Sequence, residues 1–177
     1  MNRKIGLYSS LITLISVILF ALFMIFNLSL AAYSVCIFLA CGYVTMVSAY
    51  ASYTTEEFSS AKYASIGFFI IYAIFVMLVY YAQITTVVQN NLSEEMIRML
   101  DYQKFGLFFN YDLFGYGMLS VSTLFLGLTI FPNGREDKIL RNLLLLHGVF
   151  SLVCFILIMG IFNTTIKGAE IIGVLVL

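Results

Sequence analysis

The sequence predicts an all-α protein: a polytopic transmembrane helical bundle with five complete spans and the start of a sixth. Composition gives the first observation, because 62% of the 177 residues are hydrophobic and only 10% are charged. An average soluble domain is roughly a quarter charged. The second observation is that the charged residues are clustered, with uncharged stretches of span length between the clusters. Soluble globules, disordered tails and nucleic-acid binders are thereby excluded, and the lipid bilayer is the expected partner.

Four uncharged stretches set the positions of the spans, and they cover residues 5–55, 63–93, 113–134 and 142–166. A bilayer core of about 30 Å needs about 20 helical residues. The last three stretches therefore fit one span each, and the first fits two. The strongly polar break in the first stretch is Asn27-Leu28-Ser29. The predicted spans are 5–27, 31–53, 64–88, 113–132 and 143–163.

The chain, 1–177, is predicted to form a single transmembrane helical domain, because no linker, low-complexity segment or convincing internal repeat interrupts it. Residues 171–177 are apolar types with one glycine, and they are too few to cross a bilayer. We interpret them as the start of a sixth helix, with a short interfacial anchor as the alternative. The first apolar stretch is longer than the apolar region of a signal peptide, which favours a first span that is retained.

The basic residues predict the orientation. A cytoplasmic N-terminus places six of them inside: Arg3, Lys4, Lys62, Arg135, Lys138 and Arg141. Three lie outside: Arg98, Lys104 and Lys167. This asymmetry follows the positive-inside rule, so we expect a cytoplasmic N-terminus in a membrane of the bacterial cytoplasmic type. Residues 133–142 are predicted to be a cytoplasmic loop, because Pro132 and Gly134 end the preceding helix.

An extended polar stretch, 90–112, separates the third and fourth spans. Asn91 or Ser93 can cap a helix there, and Glu94 and Glu95 would interact favourably with the helix dipole in its first turn. Apolar residues then recur at helical spacing through residue 103. The pattern predicts either a short amphipathic helix at the outer interface or an outward extension of the fourth span.

Asp112 is the sharpest candidate for a functional residue, because an ionisable group at membrane depth is costly and therefore suggests a function. If the apolar segment 105–132 formed one membrane helix, Asp112 would be buried and could bind a proton or a cation. Residues 113–132 alone also suffice to span the bilayer. Asp112 would then lie at the outer N-terminal end of the fourth helix, where the dipole and free N–H groups favour a carboxylate.

Other polar residues gather near the outer ends of the spans. We predict an outward-facing polar vestibule that binds a substrate or ion through five residues: Asp112, Gln83, Tyr116, Asn110 and Tyr80. Further residues at similar depth are Tyr81, Thr86, Gln89, Tyr111, Asn163, Thr164, Thr165 and Glu170. The alternative is the ordinary interfacial belt, in which tyrosine takes the place of the absent tryptophan.

His147 is the single histidine, and it falls about 6 Å inside the predicted fifth span. It is either hydrogen-bonded to a neighbouring helix or part of a proton relay. The topology places Asp112 and His147 near opposite faces, on the order of 25 Å apart. They are therefore not expected to form a dyad or to share a metal.

The second span is rich in small residues that allow close helix packing. One stripe consists of Cys41, Thr45, Ala49 and Ser52, and a second consists of Ala32, Cys36 and Ala40. We predict that this span is the central packing helix. The three cysteines of the chain, Cys36, Cys41 and Cys154, form no redox motif and, with a single histidine, no zinc site, so neither a metal nor a cofactor is expected.

The sequence contains no phosphate-binding, dinucleotide-binding or catalytic motif, which argues against an enzyme. The first functional hypothesis is a transporter-like or accessory membrane subunit. The second is a non-catalytic interaction protein that forms a homo-oligomer or packs its second helix against a partner membrane subunit. An intramembrane enzyme would need further residues from beyond Leu177.

Overall fold

The computed structural model describes residues 1–89 and 91–163, and every regular element in this part of the chain is helical. The predicted all-α class is therefore confirmed. The predicted start of a sixth helix, 171–177, lies outside the described residues. The helices are α1 (Asn2–Ile25), α2 (Ser29–Ala51), α3 (Ser59–Thr85), α4 (Glu94–Leu100), α5 (Leu107–Leu128) and α6 (Arg135–Asn163). Each long helix packs against the next long helix along the chain, so α3 lies in the middle, between α2 and α5.

Four helical segments of the described chain are long and apolar enough to cross a membrane: Asn2–Ile25, Ser29–Ala51, Glu56–Gln89 and Arg135–Ile156. They correspond to four of the five predicted spans. The remaining long helix, α5, is not one of them. It carries Asn110, Asp112 and several glycines and serines, and it packs between α3 and α6. The four apolar helices make the chain compatible with an integral membrane protein.

Helix α1 shows why this fold suits lipid rather than water. Its buried residues are polar: Ser9, Thr13 and Ser16. Its large apolar side chains face outward instead, with Leu7 67% and Leu14 57% exposed. A soluble helix has the opposite arrangement. In a bilayer, small polar residues allow close helix contact, whereas exposed leucine is at no disadvantage against lipid tails.

The α1–α2 connection is the predicted polar break. Helix α1 ends at Ile25, α2 begins at Ser29, and Asn27 adopts a positive φ of 56°. Asparagine tolerates this left-handed conformation better than most residues. The connection therefore reverses the chain, and the Asn2 amide donates a hydrogen bond to the Ser52 hydroxyl at 3.0 Å. We call the end of the bundle that holds Asn2 and Ser52 the N-terminal end and the other the opposite end.

Helix α2 packs through only some of the predicted small residues. Cys41, Thr45 and Ser52 are exposed, and only Ala49 of that stripe is buried. The contact with α1 uses Ala49, next to Gly6, and Gly42, whose backbone lies against Thr13. The second predicted stripe, Ala32, Cys36 and Ala40, is buried. Helices α1 and α3 pack against adjacent faces of α2. The remaining face, which carries Cys41, is left uncovered by the described residues.

Helices α5 and α6, which correspond to the predicted fourth and fifth spans, differ from the predicted bounds. Helix α5 begins at Leu107, about a turn and a half before the predicted span at 113. Helix α6 begins at Arg135, so most of the predicted loop 133–142 is helical. Glu136 and Asp137 occupy its first turn, where the helix dipole favours acidic residues. The Asp137 carboxylate also accepts a hydrogen bond from the Asn133 N–H at 3.0 Å.

The connection between α3 and α5, residues 86–106, contains a separate short helix rather than an extension of α5. Ser93 caps α4 as predicted, with its hydroxyl accepting a hydrogen bond from the Met96 N–H at 3.4 Å. After α4 the chain turns sharply, and Phe105 has a left-handed φ of 52°. Gly106 follows, and any Cβ there would collide with the Arg98 carbonyl oxygen. This close approach folds the connection over the opposite end of the bundle.

Candidate functional site

Asp112 lies in the second turn of α5 and is only 2% exposed. Because α5 begins at Leu107, Asp112 is past the free N–H groups that the N-terminal alternative would have used. Its Oδ2 atom accepts a hydrogen bond from the Tyr80 hydroxyl of α3 at 3.3 Å. In the described part of the chain, the buried Oδ1 atom has no hydrogen-bond partner. The structure therefore buries a carboxyl group with one oxygen available.

Aromatic side chains from three parts of the chain surround this carboxyl group. Tyr33 of α2 stacks on Tyr80, with ring centroids 5.4 Å apart. Tyr102 of the α3–α5 connection lies 6.0 Å from Tyr80 and 5.3 Å from Phe109. We call Tyr33, Tyr80, Tyr102, Phe109 and Asp112 the Asp112 cluster. It draws together α2, α3, α5 and the connection at the opposite end of the bundle.

The electrostatics of the Asp112 cluster are dominated by burial. A buried carboxylate is costly unless it is paired and hydrogen-bonded. The described side chain that hydrogen-bonds to it is that of Tyr80, whose hydroxyl is not a cation. Tyr102 lies outside the apolar spans. Burial raises the pKa of its phenol well above the usual value, and the nearby Asp112 carboxylate adds to this increase. Tyr102 therefore remains a hydroxyl donor.

Gln83 attaches the α3–α5 connection to the bundle. Its side chain is buried, its Nε2 donates to the Leu100 carbonyl oxygen at 2.7 Å, and its Oε1 accepts from the Tyr102 N–H at 3.1 Å. The connection then continues through a turn at Asp101. The Asp101 carboxylate stabilises this turn by accepting a hydrogen bond from the Gln103 N–H at 2.9 Å. The Gln103 side chain reaches the Ser29 hydroxyl of α2 at 3.5 Å. Gln83 thus positions Tyr102 over Asp112.

The structure brings some of the predicted vestibule residues together and leaves others apart. Tyr80 and Asp112 are hydrogen-bonded, and Gln83 lies one turn beyond Tyr80. Tyr116 is one turn beyond Asp112 and packs edge-on against Tyr72 at 5.6 Å. Asn110 is half-buried, beside Asp112 in sequence. The exposed side chains are those of Tyr81 and Gln89, whereas Tyr111 and Thr86 are half-buried. Thr164, Thr165 and Glu170 lie outside the described residues, as does the side chain of Asn163.

Tyr102 is one of three cluster members that sequence reasoning missed. It lies at the end of the predicted amphipathic helix, where the pattern of apolar residues gives no reason to single it out. Its role depends on the turn after α4 and on the two hydrogen bonds of Gln83, and both are tertiary features. Tyr33 and Phe109 were also missed, because aromatic residues are common throughout the chain and nothing in the sequence sets these two apart.

His147 is hydrogen-bonded to a neighbouring helix, which was the first of the two predicted alternatives. Its Nδ1 atom lies 2.8 Å from the Thr123 hydroxyl of α5. The residue sits about 18 Å along α6 from Arg135, deeper in its helix than the predicted loop had implied. His147 is not among the groups that contact the Asp112 cluster.

Metal binding has no support in the described residues, where no group of three or more histidine, cysteine, aspartate or glutamate side chains could hold an ion. The fold and the buried carboxyl group together define a multi-pass helical protein compatible with a membrane. No family model, no curated protein and no solved structure matches this chain. The functional argument therefore depends on the geometry of the chain itself.

Proposed function

We propose that this protein is a transporter-like integral membrane protein in which Asp112 binds a single positive charge, a proton or a small monovalent cation. The observation that carries this proposal is the buried Asp112 carboxyl group with one oxygen free of partners. Ionisable groups inside a membrane domain commonly mark ion or proton pathways. Carboxylate and hydroxyl oxygens are also the ligands that hard cations prefer. In this proposal α5 is also a membrane span, the fourth of five along the chain.

The proposed route to Asp112 is from the opposite end of the bundle, which the basic residues predict to be the outer side. Tyr102 and its connection cover Asp112 on that side, and two hydrogen bonds from Gln83 hold the connection in place. Entry of a cation therefore requires the connection to move. The predicted vestibule becomes a covered site rather than an open one, and the N-terminus lies in the cytoplasm.

A flux assay in phosphatidylcholine proteoliposomes tests this function. An internal pH dye reports protons and a sodium or potassium dye reports cations, with a potassium or sodium diffusion potential as the driving force. We expect the wild-type protein to carry one of these ions and Asp112→Asn to abolish the flux. Glu95→Gln is the matched control. Glu95 is exposed in α4 at the same end of the bundle, and its replacement by glutamine also converts a carboxyl group to an amide. Equal flux in wild type and Asp112→Asn would contradict the proposal.

Tyr80→Phe supplies a second, milder variant. It keeps the ring that stacks on Tyr33 and removes only the hydroxyl that donates to Asp112. This hydrogen bond stabilises the ionised carboxylate by about 1.5–3 kcal/mol, so its loss favours the protonated carboxyl group, and we expect proton affinity to rise by roughly 10- to 150-fold. Unchanged affinity in Tyr80→Phe would show that the Tyr80–Asp112 contact does not belong to the site.

A second candidate function is that of an interaction subunit, and the uncovered side of α2 favours it. Cys41, Thr45 and Ser52 are exposed, so this small-residue surface is free to meet another helix. Copper-phenanthroline oxidation of native membranes tests a homo-oligomer, because Cys41 is the exposed cysteine whereas Cys36 and Cys154 are buried. A cross-linked dimer that disappears in Cys41→Ser supports this function. Monomer alone, with flux lost in Asp112→Asn, supports the transporter.

A further inference from the structure

A cleft opens between the helices on the side of α6 that faces α2 and α3. Its volume is about 480 Å³, within the range of small-molecule sites. Most of its lining is apolar, with Val47, Phe69, Leu126 and Phe150 as examples. The cleft extends along α6 from Leu140 to Phe150, about 15 Å of helix. None of its lining residues belongs to the Asp112 cluster.

The polar side chains of this lining are Tyr43, Thr123 and His147. The Thr123 hydroxyl donates its single hydrogen to the Ser120 carbonyl oxygen at 2.9 Å. The Thr123 hydroxyl oxygen also lies 2.8 Å from His147 Nδ1. With the threonine hydrogen donated to Ser120, the Thr123–His147 contact is a hydrogen bond only when Nδ1 donates. The tautomer that satisfies both contacts therefore has its hydrogen on Nδ1.

A neutral imidazole with its hydrogen on Nδ1 has a free lone pair on Nε2. Within the described residues, Nε2 has no hydrogen-bond partner, whereas Nδ1 contacts the Thr123 hydroxyl of α5. The cleft thus combines a long apolar wall with one hydrogen-bond acceptor of fixed position. A ligand that matches both features has an apolar chain and one group that donates a hydrogen bond.

We propose that this cleft binds a long-chain or isoprenoid alcohol from the membrane, whose hydroxyl donates a hydrogen bond to His147 Nε2. Ester and ether lipids that present only acceptor oxygens do not complement the lone pair. Cations are disfavoured because the apolar wall offers them no oxygen shell. The alcohol chain packs against the leucines of α6 by van der Waals contact, in the place of a lipid tail. This site is separate from the Asp112 cluster and does not depend on its function.

Nitrogen NMR of the histidine ring tests the proposal, because His147 is the single histidine of the sequence. The protein, labelled with ¹⁵N-histidine, is placed in nanodiscs of dimyristoylphosphatidylcholine, a lipid without a hydroxyl group. Dodecan-1-ol is the probe, and dodecyl methyl ether is the matched compound without a donor. We expect the alcohol to shift the Nε2 resonance saturably in the direction of a hydrogen-bonded acceptor, and the ether to leave it in place. Equal shifts with both compounds, or none with either, would overturn the proposal.

Two tryptophan variants control for the location of binding. Leu143→Trp fills the cleft, and Leu14→Trp places the same side chain on α1, away from the cleft. Both leucines are similarly exposed, at 58% and 57%. We expect Leu143→Trp to weaken the alcohol response about tenfold or more and Leu14→Trp to leave it unchanged. Equal effects of the two variants would argue against the cleft.

Asp112→Asn separates this inference from the proposed ion-binding function. We expect the alcohol response to persist in Asp112→Asn, even though ion flux is lost. Persistence of the response supports an independent cleft whatever the outcome of the flux assay. Loss of the alcohol response in Asp112→Asn, with a normal response in Leu143→Trp, would contradict the assignment of the ligand to this cleft.

Discussion

Replacement of Gln83 by leucine tests how the α3–α5 connection is held over Asp112. Leucine keeps the buried volume but removes two hydrogen bonds, one to the Leu100 carbonyl and one from the Tyr102 N–H. A buried polar group that loses its partner costs about 1–3 kcal/mol. The Leu100 carbonyl and the Tyr102 N–H both lose their partner and lie close to solvent. We therefore expect the free energy of opening the connection to fall by about 2–4 kcal/mol. The segment itself remains, because α4 and its Ser93 cap are untouched.

Hydrogen exchange of the Tyr102 amide measures this change directly, since local opening sets the exchange rate. A loss of about 2–4 kcal/mol corresponds to exchange that is about 30- to 1000-fold faster. Gln89→Leu is the control, because the exposed Gln89 amide donates only to Thr85 of its own chain segment. We expect wild-type exchange at Tyr102 in that variant. Wild-type exchange in Gln83→Leu as well would refute the role of Gln83 in holding the connection.

Two further predictions concern packing away from the cluster. A small membrane-permeant maleimide should modify the exposed Cys41 well before the buried Cys36 and Cys154, as followed by mass spectrometry. Equal labelling rates at the three sites would contradict the described packing. Gly42→Ala should destabilise the α1–α2 contact by about 1–3 kcal/mol, because its Cβ would lie 2.8 Å from the Thr13 oxygen. The melting temperature should fall in Gly42→Ala and largely recover when Thr13→Ala is added, whereas no recovery would place the strain elsewhere.

The fold class was predictable because hydropathy and charge act over long stretches of the chain. The uncharged stretches indicated the apolar helices, and the polar break at Asn27 marked the first turn. Helix ends were harder to place. Arg135 begins α6 despite the charges around it, because acidic residues in a first turn stabilise a helix instead of ending it. Charge alone therefore does not separate a loop from the start of a helix.

The candidate site was predictable only in part. Asp112, Tyr80 and Gln83 could be selected because polar residues are rare in an apolar chain. Their partners could not, since Tyr102 reaches Asp112 only through the turn after α4. The sequence also could not predict which face of α2 packs against its neighbours. Both of its stripes consist of small residues, and only the positions of α1 and α3 determine which one is covered.

Infrared difference spectroscopy of the purified protein in lipid tests the central claim most directly. Carboxyl vibrations report whether a carboxyl group gains or loses a proton or a bound cation. We predict a carboxyl band that responds to a change in proton, sodium or potassium concentration, persists in Glu95→Gln and disappears in Asp112→Asn. A wild-type spectrum without such a band, or a band that survives in Asp112→Asn, would contradict the claim that Asp112 binds the ion.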